Sequence, residues 1–229
     1  MKTIGMLGGM SWESTALYYR LINEETRRLR GGLHSAPIAL VSVDFQQIEA
    51  LQHAGDWAAA GRMLAARARE VEAAGADFLL ICTYTMHRVA DDVAAAIDIP
   101  LLHLADATAA RITAAGIGSV GLLGTRFTME EDFYRARIEA HGLTVMTPDA
   151  ADREIVHRVI YDELCLGEIR EDSRAEFLRV IAQLADCGAE AVIEGCTEIV
   201  MLVAQTDTPV ALFDTTAIHA HEAVALALS

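Results

Sequence analysis

Apolar residues along this chain gather in short runs that glycines interrupt, and the runs alternate with stretches of helical spacing. Thr3-Ile4-Gly5-Met6-Leu7-Gly8-Gly9 is one run. Phe78-Leu79-Leu80 is another, and it leads into Ile81-Cys82-Thr83-Tyr84-Thr85-Met86-His87-Arg88. Short apolar runs bounded by turn residues predict buried strands. Leu17, Tyr18, Leu21 and Ile22 make a helical stripe after the first run. Met129, Phe133, Tyr134 and Ile138 make a looser stripe after Ser119-Val120-Gly121-Leu122-Leu123-Gly124-Thr125. Strands and helices in alternation predict an α/β fold with parallel sheets flanked by helices on both faces.

The pattern also repeats itself. Thr3–Gly9 resembles Ser119–Thr125, and Gly75–Thr83 resembles Gly188–Cys196. Both members of the second pair follow an alanine-rich helical stretch that stops at glycine, the expected helix C-cap. Ile99-Pro100-Leu101-Leu102-His103-Leu104 matches Thr208-Pro209-Val210-Ala211-Leu212-Phe213. Each of these ends in a polar turn, Asp106-Ala107-Thr108 or Asp214-Thr215-Thr216. Three matches in one order predict two similar α/β domains, 1–104 with 213–229 and 105–212. The tail from His219 to Leu228 reads as a helix packing back on the first copy. The alternative is one doubly wound sheet with chance similarity.

Aligned from glycine onward, the second pair sets Thr83 opposite Cys196 and Cys82 opposite Gly195. Ligands of open α/β sheets bind beyond the carboxyl ends of strands, where both residues fall. A pseudo-twofold axis between the copies would aim Thr83 and Cys196 into one interdomain cleft from opposite sides. Adjacent strand residues point opposite ways, so Cys82 turns aside as a small buried hydrophobe. Two opposed acid/base groups suit inversion of a carbon centre, with a proton removed from one face and returned to the other. Backbone N–H groups after Cys196 would assist its thiolate or hold a substrate carboxylate.

Composition narrows the chemistry. The formal net charge is −15, which argues against nucleic acid and anionic membranes as partners. Any anionic substrate must be held by local donors. The four cysteines, Cys82, Cys165, Cys187 and Cys196, show no C-x-x-C spacing, which weighs against a zinc site or a redox motif. No apolar run reaches the length of a membrane span, and MKTIGMLGGM is broken by glycines, unlike a signal peptide. The expectation is a cytoplasmic protein with free thiols. The only lysine is Lys2, at the entrance of the first strand, badly placed for a pyridoxal phosphate Schiff base.

GMLGGMSWEST near the N-terminus, Thr85-Met86-His87, LLGTRFTMEEDFY and GCTEI around Cys196 resemble the aspartate/glutamate racemase family, over essentially the whole chain. The resemblance implies two similar α/β domains, an active site between them, no cofactor, no metal and a homodimer. It implies Thr83 and Cys196 as the catalytic pair. The family's first catalytic cysteine aligns with Thr83, as in a subgroup resembling L-aspartate/glutamate-specific racemases. Tyr84 stands where the family has a substrate-holding asparagine. Cys165 stands where many aspartate racemases have a lysine for the side-chain carboxylate, so strict aspartate specificity is not implied.

Around this pair, Met10, Gln52, Tyr84, Thr85, Thr125, Arg126, Thr128, Thr197 and Glu198 are candidate substrate-binding residues. The threonines offer hydroxyl and backbone donors or simply cap helices. Arg126 suits a carboxylate clamp or a surface ion pair. Met10 follows a glycine turn that lacks the Gly-Lys-Ser/Thr ending of a phosphate loop. His87 reads mainly as a structural histidine. The expected function is racemisation of aspartate, glutamate or a close analogue. Its rivals are isomerisation or decarboxylation of a small dicarboxylate, and a catalytically silent binding protein with Tyr84 filling the pocket.

Overall fold

The computed structural model describes residues 1–229. Its contacts divide the chain into two units, 1–104 with 219–229, and 105–218.

The first unit contains β1 (Ile4–Gly8), α1 (Trp12–Arg30), β2 (Ile38–Ser42), α2 (Phe45–His53), α3 (Trp57–Ala73), β3 (Phe78–Ile81) and α4 (Ala90–Ala94). Its sheet runs β2-β1-β3, all parallel. Strand alternation sorts the core into two layers. Leu7, Leu79 and Ile81 pack with Ile48 of α2 and Leu64 and Ala68 of α3. Ile4, Met6, Phe78 and Leu80 pack with Tyr18 and Ile22 of α1 on the other face. Ser11 caps α1 by accepting from Ser14 N, and Asp56 caps α3 by accepting from Ala59 N, which fixes where both helices start.

The second unit contains α5 (Leu104–Ala114, entered at the boundary residue), β4 (Ser119–Gly124), α6 (Arg126–Glu130), α7 (Asp132–Glu139) and β5 (Thr144–Met146). It continues with α8 (Ala150–Asp162), α9 (Glu171–Asp186), β6 (Ala191–Gly195), α10 (Ile199–Leu202), β7 (Ala211–Asp214) and α11 (Thr215–Leu228). Its sheet runs β5-β4-β6-β7, again parallel. Leu123 and Val192 pack under Val156 and Ile160 of α8 and Phe177, Val180 and Ile181 of α9. Helix α11 begins in this unit, and from His219 onward it belongs to the first. There Ala220, Ala223, Val224 and Ala227 join the layer of Ile4 and Leu80.

The ladders give a register for the repeat. Leu7 pairs with Ile81, and Leu123 pairs with Glu194. Leu7 and Leu123 are equivalent, so Ile81 corresponds to Glu194, and Thr83 to Cys196 two residues on. The third repeat pair is out by two. Leu79 bridges Leu101 while its counterpart Val192 pairs with Leu212, so Leu101 matches Leu212, not Val210. A slip of two keeps every side chain on its face, which is why the prolines align despite it.

The expected polar turns are helix starts. Asp106 to Thr108 lie in the first turns of α5, with Asp106 accepting from Arg137 Nε and Nη2 at 2.8 Å each. Asp214 accepts from the amides of Thr216 and Ala217 at 2.9 and 3.0 Å and so starts α11. No helix is long and apolar enough to cross a membrane.

Candidate active site

In the first unit, β1 ends in a turn over Gly9 at φ 89°. A Cβ there would lie 2.2 Å from Val43 O, so only glycine fits. Gly9 N donates to Thr15 Oγ1 at 2.8 Å, tying the turn to α1. Met10 is buried against the layer that holds Leu7 and Ile81. The turn after β3 lies beside it, because Cys82 N donates to Leu7 O at 2.9 Å. Two side chains hold successive carbonyls of this second turn. Ser14 Oγ donates to Cys82 O at 3.1 Å, and His87 Nδ1 meets Thr83 O at 2.8 Å.

Thr83 is half-buried, and no group of the protein hydrogen-bonds its hydroxyl. Thr85, also half-buried, opens a 3₁₀ turn over Thr85–Val89. Tyr84 between them is only 7% exposed. Gln52 at the end of α2 donates to Met86 Sδ at 3.0 Å, which brings α2 to the same turn. Cys82 is fully buried with Ile4, Met6 and Leu80, and burial pushes its thiol far above the usual range.

In the second unit, Gly124 and Gly195 are ladder partners, so Thr125 and Cys196 leave adjacent strands side by side. Both glycines make room for Thr128. A Cβ on Gly124 would lie 2.7 Å from Thr128 Cγ2, and one on Gly195 would lie 3.0 Å from it. Thr128 is thus buried packing, 3.4 Å from Thr125 Oγ1 through its own Oγ1. Arg126 pairs with Glu154, and its backbone N–H donates to His157 Nδ1 at 3.2 Å. Burial first, then the Arg126 guanidinium, lower the His157 pKa.

Cys196 is half-buried at the end of β6. Its Sγ donates to Glu198 Oε2 at 2.8 Å, and Thr197 Oγ1 donates to the same oxygen at 2.8 Å. Burial first, then the Glu198 carboxylate, hold the Cys196 thiol well above its ordinary pKa, with a smaller effect from the Cys165 thiol. The resting arrangement is therefore a protonated thiol facing a carboxylate that can take its proton.

Two features of these units are invisible in the sequence pattern. Glu194, two residues before Cys196, is 5% exposed and is the ladder partner of Asp214. Burial first, then Asp214, push its carboxyl up to about 8, so it is neutral at pH 7. The only signal for it is an acid inside the apolar run Ala191–Gly195. The second feature is the pair of carbonyl ties made by Ser14 and His87, which no spacing rule announces. No group of His, Cys, Asp and Glu converges to hold a metal. Lys2 is exposed before β1, with Nζ 3.4 Å from Ser229 Oγ.

Residues 7–223 match the Asp/Glu/Hydantoin racemase family. A candidate Asp/Glu racemase from Yersinia pestis is 55% identical, with a TM-score of 0.97 and full coverage of both chains. An aspartate racemase homologue from Pyrococcus horikoshii OT3 is 32% identical, with a TM-score of 0.89 and full coverage of both. An aspartate racemase from Picrophilus torridus shares the fold at 17% identity and a TM-score of 0.76, over 99% of this chain and 94% of that one. With a family match over nearly its whole length, this chain belongs to the Asp/Glu/Hydantoin racemase family.

Proposed function

We propose that this protein is a cofactor-independent racemase of aspartate, glutamate or a close analogue, drawing on the turns after β3 and β6. The observation that carries the reading is the register that makes Thr83 and Cys196 equivalent, each just past the carboxyl end of a strand, β3 or β6. Family membership and the resemblance of the Thr83/Cys196 pair to the threonine-bearing racemases support it. The same resemblance supports a homodimeric, cytoplasmic enzyme.

In this reading Glu198 takes the Cys196 proton, and the resulting thiolate removes the α-hydrogen from one face of the substrate. Return of a proton to the other face, from the Thr83 side, inverts the centre. The reverse reaction starts at Thr83, a far weaker acid than a thiol, and limits the overall rate. Met10, Gln52, Tyr84, Thr85, Thr125, Thr128 and Thr197 line or support the two turns. Arg126, paired with Glu154, acts only if that surface pair opens.

The protonated resting thiol favours a second reading, in which Cys196 only delivers a proton to a carbanion left by isomerisation or decarboxylation of a small dicarboxylate. One experiment separates them. A panel of amino acids and dicarboxylates is incubated in D₂O, and the α-proton is followed by NMR. Exchange with loss of optical activity in aspartate or glutamate supports racemisation. Carbon dioxide release from a dicarboxylate without amino-acid exchange supports the second reading. Neither result leaves a binding protein.

A further inference from the structure

The chain passes between its units after Leu104 and again before His219, and buried histidines sit at both crossings. His87, His103 and His219 are at most 4% exposed. The His87 ring lies 4.6 Å from that of His103 and 5.9 Å from that of His219, edge to face. His219 Nε2 meets Leu102 O at 2.8 Å, and its Nδ1 meets Tyr18 Oη at 2.9 Å. A carbonyl can only accept, so His219 carries its proton on Nε2 and accepts from Tyr18 on Nδ1.

The same reasoning fixes His87. Nδ1 faces Thr83 O at 2.8 Å and must donate, while Nε2 accepts from Leu104 N at 3.3 Å. Both ring nitrogens are engaged with the backbone, so this imidazole is not a free proton carrier for the reaction. We propose that His87 is a positioning residue for Thr83: its Nδ1–H anchors the Thr83 carbonyl to the first crossing and so fixes where the Thr83 hydroxyl points. Ser14 does the same for the preceding carbonyl, so the turn is held at both peptides before Tyr84. Thr83 Oγ1 takes no bond from the protein, so backbone anchorage is what orients it. The Cys196 turn has no such histidine. The catalytic part of this inference rests on the racemase reading, while the anchorage itself does not.

The test compares His87→Asn, His87→Gln and His87→Ala. An asparagine amide can reproduce the Nδ1–H donor. Glutamine places its amide near the Nε2 position and loses the bond to Thr83 O. Amide hydrogen exchange of the peptide 82–90, read by mass spectrometry, should rise about tenfold in His87→Gln and His87→Ala and stay near wild type in His87→Asn, the scale of one hydrogen bond. In D₂O, the same two variants should lose about tenfold in α-proton exchange of the enantiomer served from the Thr83 side. Exchange from the Cys196 side should hold. A merely structural histidine would give losses that follow side-chain volume, with asparagine no better than glutamine, and equal losses on both faces. Either result overturns the proposal. If the wild type exchanges no α-proton, the racemase reading fails, and the amide-exchange ranking still decides the anchorage.

Discussion

The turn after β3 and the turn after β6 occupy equivalent places in the two units and are built for different chemistry. After β3, the carbonyls of Cys82 and Thr83 are tied down and the Thr83 hydroxyl has no partner. After β6, the acidic group itself is engaged, with the Cys196 thiol donating to Glu198. One turn is a fixed backbone presenting a weak acid. The other presents a protonated thiol hydrogen-bonded to a carboxylate. The contrast continues behind the turns. Ile81 corresponds to Glu194, and His103 to Asp214 in the same register. The first unit therefore has an isoleucine and a buried histidine where the second has a buried glutamate and a half-buried aspartate. Duplicated scaffolds can hold the same strand register while the buried polar networks diverge.

The largest effect should come from the stronger half. Cys196→Ala should lower racemisation in both directions by about a thousandfold or more, since each racemisation passes through both groups, and with it α-proton exchange of the enantiomer that faces Cys196. Thr83→Ala should spare exchange of the enantiomer whose α-hydrogen faces Cys196. Equal losses in the two variants would mean that the halves are not chemically lopsided.

The buried networks predict opposite pH limbs. His219 is held at about 3 in the folded protein, first by burial and then by His87, against 6.5 ordinarily. Between those values the unfolded chain binds a proton that the folded one refuses, so stability falls as pH is lowered from 6.5 toward 3. Tyr18 and His87 are the groups facing it. Glu194 is raised from 4.5 to about 8, so the folded protein keeps a proton that the unfolded chain has released. Its contribution is lost as pH rises from 4.5 toward 8. Each slope is at most about 1.4 kcal/mol per pH unit, and they oppose one another between 4.5 and 6.5. Urea midpoints should show a plateau there, falling on both sides. His219→Gln should flatten the acid limb, and Glu194→Gln the alkaline one. A limb that survives its substitution has another origin.

Much of this frame is legible in the sequence, for identifiable reasons. The strands β1, β3, β4 and β6 are buried, so they read as continuous apolar runs, and glycines in them mark close approaches such as Gly195 over Thr128. The strands β2 and β5 are not legible. In β2, Leu40 is 45% exposed, and β5 is three residues long with Thr144 exposed. Half-solvated strands dilute the pattern, and Ile38–Ser42 shares little with Thr144–Met146. Thr83 and Cys196 fall out of the repeat because ladder register is a property of spacing. The tie from Ser14 to Cys82 spans 68 residues and joins a side chain to a backbone carbonyl, so no periodicity carries it. The Glu194 carboxyl was hidden because an acid in an apolar run breaks the strand pattern unless its burial is known.

A smaller change should narrow the contrast from the weak side. Thr83→Cys places a thiol where the hydroxyl stood, on the same tied backbone. Exchange of the enantiomer served from that side should rise about tenfold, because the thiol is the better acid/base near neutral pH. By resemblance to the threonine-bearing racemases, that enantiomer is D, and L exchange should hardly change. A faster L reaction with unchanged D would reverse the facial assignment.

The smallest effect tests the register of the comparison. Cys82 neighbours Thr83 in sequence, but its side chain lies in the layer of Ile4, Met6, Leu80 and Val224. Burial holds its thiol strongly protonated, so it is a poor nucleophile. The tie from Ser14 goes to the Cys82 backbone oxygen and survives loss of the side chain. Cys82→Ala should therefore cost about 1 kcal/mol of stability from the small cavity and leave turnover within about twofold of wild type. Thiol alkylation should spare Cys82 in the folded protein and reach it only after unfolding. Loss of turnover in Cys82→Ala, with the melting temperature preserved, would mean that the chemistry uses Cys82. The equivalence of Thr83 with Cys196 would then be wrong by one residue.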